Sequence, residues 1–296
     1  MVELKKISKG NKEYYYLVHS YRQGKHVKKK QVYLGDSIPK DLDEKKKEFM
    51  QEFYKERFLV DINKIREKFN KQEKLMPKSA KEKQKENFAI KFTYNSQRIE
   101  GSTLTLKDTA DLLEKGITPS SKPIRDVKEA ESHKQIFENM MDYNKDLNLQ
   151  IVLFWNKKLL EQTKQDIAGK IRNHQVAIAR SKFMPPIPAE LDFLLNDFFS
   201  WYNKNKTKLH PVELAALVHL KFVTIHPFSD GNGRISRIMM NFILKKHKFP
   251  LLDIPYTKRA GYYNALERSQ VKKEDNIFVQ WFFRRYLQEY KGYLKN

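Results

Sequence analysis

From about Pro39 onward the apolar residues recur at helical spacing. Between Asp41 and Lys74, Phe49, Phe53, Phe58, Val60, Ile62, Ile65 and Phe69 stand among Lys and Glu, which predicts linking helices. The same periodicity predicts helices near 80–99, 106–114, 124–142, 149–163, 187–204, 211–225, 233–247, 258–268 and 275–293. Two stretches break it. Residues 12–35 are dense in aromatic and β-branched residues on both sides of Gln23-Gly24-Lys25, which predicts a β-hairpin. Val176 to Pro186, VAIARSKFMPP, has extended character and two prolines, which predicts a hairpin or flap. The predicted fold class is mainly α: a helical bundle with a short β-hairpin flap, preceded by a small N-terminal β-hairpin module and linking helices. The expected domains are a basic hairpin module at 1–37, linking helices at 38–79 and a larger helical domain at 80–296.

Composition adds little about mechanism but excludes several chemistries. With 40% hydrophobic residues, 19 Phe and 15 Tyr in 296 residues, the chain has ample material for a packed core. No run of 18 apolar residues occurs, and the opening MVELKKISKGNKEYYYL is charged, so a cytoplasmic protein without a membrane partner is expected. The absence of Cys removes disulfides, thiolate zinc sites and Cys nucleophiles. A net charge of +22 predicts attraction to polyanions, although Lys-rich helices also arise as solvated faces or as adaptation to heat. Residues 1–35 carry nine Lys or Arg against two Glu, interleaved with Tyr14, Tyr15, Tyr16 and Tyr21. Aromatic rings among cations suit nucleic acid, and an ordinary half-buried sheet with a charged face has the same composition.

The chemistry concentrates between Leu220 and Arg237. An apolar helix ends at His226, Gly231 and Gly233 permit close backbone approach, and a second helix begins at once, presenting its positive end to the turn. That is an anion site. Arg234 and Arg237, three apart, reach phosphate oxygens; Asp230 offers the hard oxygen that Mg²⁺ takes; His226 is a proton acceptor at neutral pH. A plain turn between two core helices is the competing explanation for any one of these residues, though not for all in this order. No Walker-type glycine loop, dinucleotide fingerprint, H-E-x-x-H or EF-hand loop is present.

These residues resemble the Fic family signature H-x-F-x-[DE]-G-N-G-R-x-x-R, matched by His226, Phe228, Asp230, Gly231, Asn232, Gly233, Arg234 and Arg237. The resemblance covers roughly residues 80–290. It implies a Fic-type helical bundle that transfers AMP from ATP, with Mg²⁺, to a Ser, Thr or Tyr hydroxyl of a target protein. His226 would deprotonate the hydroxyl, Asp230 would carry Mg²⁺, and Asn232 with the backbone of Gly231 and Gly233 would hold the α-phosphate. Arg234 and Arg237 would hold the outer phosphates. The related Doc kinases differ in the second half of the glycine turn; retention of Gly233 favours AMP transfer over phosphate transfer.

Ser96, Glu100 and Gly101 match the family's inhibitory motif [ST]-x-x-x-E-[GN] at the end of the helix expected over about 80–101. By that resemblance Glu100 pairs with Arg237, blocks the productive γ-phosphate pose and keeps the enzyme mostly off. In some members the same glutamate helps remove AMP, so a deadenylylating hydrolase is the alternative activity. Val176 to Pro186 occupies the place of the family's flap, which pins the target protein by adding its backbone as a strand. Tyr262, Tyr263 and Asn264 resemble the segment near the adenine, and packing into the core is an equal reading of them. His210 and His219 are expected to be structural. A homo-oligomer and a nucleic-acid partner for the basic hairpin remain open at this point.

Overall fold

The computed structural model describes residues 2–23, 26–179 and 181–295. The chain divides into two compact units, Met1–Asn63 and Lys64–Asn296, and the division falls within helix α1 (Leu42–Leu75).

The first unit holds an antiparallel sheet of three strands, β1 (Val2–Lys9), β2 (Lys12–Gln23) and β3 (His26–Gly35), in the order β1-β2-β3. The expected hairpin is β2 and β3; of its turn, Gly24 and Lys25 lie outside the described residues. Strand β1 is an addition. Its four lysine and serine residues mask the alternation of Val2 and Leu4, and the Gly10 turn (φ 62) folds it back onto β2. One sheet face is apolar: Leu17 is buried, and His19 and Tyr21 pack edge-on against Phe53 at 4.7 and 4.9 Å. Lys30 lies over the Phe49 ring on that face and pairs with Glu56 at 2.7 Å.

The second unit is helical: α2 (Lys78–Ile99), α3 (Leu106–Lys115), α4 (Ile124–Asp142), α5 (Leu149–Leu160), α6 (Leu191–Asn205), α7 (Pro211–Ile225), α8 (Asn232–Lys246), α9 (Arg259–Lys272) and α10 (Asp275–Glu289). Helix α7 is apolar around most of its circumference, which is the pattern of a helix surrounded by others, and α8 packs along it. The remaining helices cover this pair. Phe198 of α6 meets Phe222 at 6.1 Å, Trp155 of α5 meets Phe242 at 6.2 Å, and Phe278 of α10 stacks on His219 at 5.3 Å. Local signals set the ends. Pro211 opens α7 behind a His210 side-chain cap, and Thr105 with Asp108 forms a reciprocal cap on α3. No helix among the described residues is long and apolar enough to cross a membrane.

The extended segment Val176 to Pro186 differs from expectation in one respect. Among its described residues, which exclude Arg180, no strand ladder forms. Pro185 and Pro186 have no N–H to contribute to one. The segment is held by side chains instead: Gln175 Nε2 donates to the Pro185 carbonyl at 3.0 Å, and Arg172 donates to the Pro186 carbonyl at 2.6 Å.

Candidate active site

Helix α7 ends at His226, which adopts the left-handed conformation (φ 53, ψ 55), and Pro227 cannot supply the N–H that would continue the helix. The loop is closed by the buried Asn232 side chain, which accepts from Phe228 N at 2.9 Å and donates to Phe228 O at 2.8 Å. Asn156 of α5 holds it from outside, donating to Asp230 O at 3.0 Å and accepting from Gly169 N at 2.8 Å. Gly231 (φ 86) is required twice over. Its backbone is left-handed, and a Cβ there would lie 3.0 Å from Asn156 Nδ2 and 3.1 Å from Leu159. Helix α8 therefore starts at Asn232 with no side-chain cap over its positive end.

His226 Nδ1 lies 3.2 Å from the Val223 carbonyl oxygen. A carbonyl only accepts, so Nδ1 carries the proton and Nε2 presents its lone pair. Burial pushes the His226 pKa below its ordinary value, against the opposing pull of Val223 and Glu100. The imidazole is consequently neutral at pH 7. Four residues on, Asp230 is ionised. Burial opposes its charge, but Arg234, Lys164 and the Gly231 N–H outweigh it and hold the pKa to about 2. Asp230 accepts from Arg234 at 3.0 Å and Gly231 N at 2.6 Å, and Lys164 donates to its other oxygen.

Glu100 closes the site from the α2 side. Helix α2 ends in a Schellman turn, with Ser102 N donating to Gln97 O at 3.0 Å, Gly101 N to Arg98 O at 3.2 Å, and Gly101 at φ 98. This turn leaves Glu100 at the helix end with its carboxylate against Gly233 in the first turn of α8. Arg237 Nη2 donates to Glu100 Oε1 at 2.7 Å; Arg237 Nε donates to Ser96 Oγ at 2.8 Å, and Nη2 also donates to Ser96 O at 3.0 Å. Burial opposes the Arg237 charge, yet Glu100 overrides it and raises the pKa well above the ordinary guanidinium value.

Several sequence-predicted residues stand differently from expectation. Arg234 does not pair with Arg237 as a matched clamp. Its buried guanidinium is taken by Glu129, by Gln97 Oε1 at 3.2 Å and by Asp230, so it braces the carboxylate from below. The Asn232 amide is bound at both ends to Phe228 backbone, which leaves main chain rather than this side chain to meet a phosphate. Tyr262 is 1% exposed, with its hydroxyl 2.9 Å from His219 Nε2 and 3.4 Å from Arg237, so its ring belongs to the core. Asn264 lines a separate cleft of about 520 Å³ with Gly261, Arg268, Trp281 and Arg284. Successive residues on a helix point about 100° apart, and of the three only Tyr263 keeps an exposed ring beside the site, with its hydroxyl donating to Ile99 O at 2.9 Å. Phe228 is buried against Phe222, 5.9 Å away.

Sequence reasoning missed Arg172, Asn156, Lys164 and Glu129. Arg172 is the most connected: Nε donates to His226 O at 2.9 Å, Nη1 to His174 O at 2.9 Å and Nη2 to Pro186 O, while its own N–H donates to Pro227 O at 2.9 Å. One buried cation thus ties the histidine to the Pro186 end of the extended segment and to His174, which precedes it. None of the four sits in a motif, so only their spatial convergence reveals them.

A divalent cation suits this donor set in one way. No cluster of three His, Asp or Glu occurs among the described residues, and within the glycine turn itself the ionised carboxylate is Asp230. Mg²⁺ is commonly held by one or two carboxylates plus substrate phosphates, and Asp230 fits that mode.

Residues 146–244 match the family described as Fic/DOC. The chain is 35% identical over 193 residues to protein adenylyltransferase Fic of Aedes aegypti, an alignment covering 64% of this chain and 38% of that protein. It is 31% identical over 216 residues to protein adenylyltransferase fic-1 of Caenorhabditis elegans, covering 71% of this chain and 42% of that protein. The chain thus spans about two fifths of the length of these curated relatives. A Fic-domain-containing signaling protein from Bacteroides thetaiotaomicron superposes with a TM-score of 0.71 at 28% identity, covering 79% of this chain and 96% of that one. The histidine, the glycine turn and the two arginines lie inside the matched region, and the chain carries a Fic/DOC-family domain whose signature occupies the α7–α8 junction.

Proposed function

We propose that this chain is an autoinhibited protein adenylyltransferase, moving AMP from ATP to a Ser, Thr or Tyr hydroxyl of a target protein. The observation that carries this reading is the Glu100 carboxylate at the N-terminal turn of α8, on Arg237. An internal anion holds the seat that a nucleotide phosphate would need, beside a neutral histidine.

Displacement of Glu100 frees Arg237 and the first turn of α8 for phosphate oxygens. His226 Nε2 then takes the hydroxyl proton as the oxygen attacks the α-phosphorus. The bond from that phosphorus to the bridging oxygen of the β-phosphate breaks, and pyrophosphate leaves with the electron pair. Bound at Asp230, Mg²⁺ would neutralise phosphate charge. Arg234 and Lys164 keep that carboxylate ionised, and the exposed Tyr263 ring offers a face to the base. The target protein would lie along Val176 to Pro186, whose Pro186 end is held by the same Arg172 guanidinium that donates to the His226 carbonyl. A cytoplasmic site of action completes the proposal.

The test is self-labelling with ATP labelled separately at the α- and γ-phosphates, comparing wild type, Glu100→Gly and Glu100→Gly with His226→Ala. Strong α-label on Glu100→Gly alone is the expected result. Label from the γ-position would make the enzyme a kinase, and no label on any variant would move the assignment to AMP removal at the same site.

A further inference from the structure

The sheet of the first unit has two faces with different chemistry. Pairing of Leu4 with Leu17 and of Leu17 with Val32 places these residues on the face that meets Phe53, together with Lys6, His19, Tyr21 and Lys30. On this face Lys6 pairs with Glu13 at 2.5 Å and Lys30 with Glu56, while Lys28, opposite Tyr21, is exposed at the end of the sheet. Strand alternation puts the other residues outside. The outer face carries Lys5 opposite Tyr16, Ile7 opposite Tyr14, Lys9 opposite Lys12, Tyr16 opposite Tyr33, Ser20 opposite Lys29 and Arg22 opposite Val27.

Three tyrosines gather at its centre, with Tyr33 5.2 Å from Tyr16 and 6.2 Å from Tyr14. Tyr33 is 51% exposed. Around them stand Lys5, Lys9, Lys12, Arg22 and Lys29, all exposed and, among the described residues, without a carboxylate partner; Glu3 is the one acid on the face. Like charges held this close on a pleated surface repel one another, and a polyanion relieves the repulsion. A folded acidic protein surface would complement the charge alone. It gives no use to an exposed Tyr33 ring, with the half-buried Tyr14 and Tyr16 beside it, standing between the cations.

We propose that the outer face of this sheet binds single-stranded nucleic acid, with Tyr16 and Tyr33 stacking on unpaired bases and the flanking lysines and Arg22 following the phosphate backbone. Unpaired bases expose the ring faces that a duplex hides. The proposal is independent of the AMP-transfer reading, since it uses no residue of the helical unit.

The test is fluorescence anisotropy of the full chain with a labelled oligouridine of about 15 nucleotides and with a duplex of equal length, over a salt series. The single strand is expected to bind more tightly than the duplex. Tyr16→Ala with Tyr33→Ala is expected to weaken it by about tenfold or more, whereas Tyr16→Phe with Tyr33→Phe retains it. Lys5→Ala with Lys29→Ala, at exposed positions that leave the fold alone, should lower the salt slope by roughly 1.4. The pair Lys71→Ala and Lys74→Ala removes equal charge from exposed positions elsewhere on the chain and is expected to change little. Three results would each overturn the assignment: no saturable binding at low salt, duplex preferred over single strand, or equal losses from the Lys71/Lys74 pair and the outer-face pairs.

Discussion

The Glu100 carboxylate rests so closely on Gly233 that a methyl group on that glycine would collide with its Oε1. The two residues lie 133 positions apart, and the contact sets the α2 terminus against the first turn of α8, where the proposed function seats a nucleotide phosphate. Glu100→Gly is expected to raise AMP transfer from a near-silent background by tenfold or more, measured as α-label incorporated per minute.

The same contact predicts a coupling in stability. Gly233→Ala must push the Glu100 side chain aside, weakening its bond to Arg237, so the substitution should lower the melting temperature in the wild-type chain. In a Glu100→Gly background the obstacle is gone, and the loss should shrink by about 1 kcal/mol. Thermal denaturation of the four variants measures the difference, and equal losses in both backgrounds would remove the contact as its cause.

The Glu100→Gly enzyme should have an unusual acid limb. Burial holds the His226 pKa below 6.5, and loss of the nearby Glu100 charge removes one group that raises it. The base stays neutral as pH falls through 6.5, and activity declines only below that value. A rate profile from pH 5 to 8 checks this; a midpoint above 6.5 would contradict the assigned environment.

Asp253 should set a pH dependence of stability. Its Oδ1 is buried with no hydrogen-bond partner among the described residues, while Oδ2 accepts from Asn95 at 2.6 Å. Burial raises its pKa from 3.8 to about 7, with Glu289 adding to the rise and Asn95, Arg285 and Arg237 opposing it. The folded chain therefore keeps a proton that the unfolded chain releases between those values. Its contribution to stability is full below the unfolded pKa and is lost as pH rises through about 7, on the order of 1 kcal/mol per pH unit. Asp253→Asn should flatten that slope and melt higher than wild type at pH 8.

Arg172 should behave as a positioning residue. Arg172→Ala leaves three partly buried carbonyl contacts unmade and is expected to cost about 2–3 kcal/mol in urea denaturation. Arg172→Lys keeps the charge but cannot address carbonyls in three directions. Combined with Glu100→Gly, it should lower the rate constant for transfer more than it raises the KM for ATP.

Most of the architecture was legible in the chain. The apolar run LAALVHLKFVTI marks α7 as a central helix, and His226-Pro227 with the glycines marks its end and the start of α8. Strand β1 was hidden because an exposed edge strand has little apolar alternation to show. The lack of a strand ladder among the described residues of Val176 to Pro186 and the burial of Tyr262 were hidden for another reason. Each depends on what stands opposite, and a helix such as α9 with a weak apolar stripe does not declare which of two adjacent tyrosines turns inward.

Local order in the sequence determined the residue types at the turn, because backbone conformation at Gly231, helix ends and neighbouring side chains are set by residues within a few positions of one another. Which of those side chains remain available was decided only in three dimensions. Glu129 and Gln97 take Arg234, Asn232 is consumed by Phe228, Arg172 fixes His226, and Glu100 reaches Arg237. Hydrogen bonds and charge pairs between distant segments form only when packing brings their partners within about 3.2 Å, and no spacing along the chain encodes that distance.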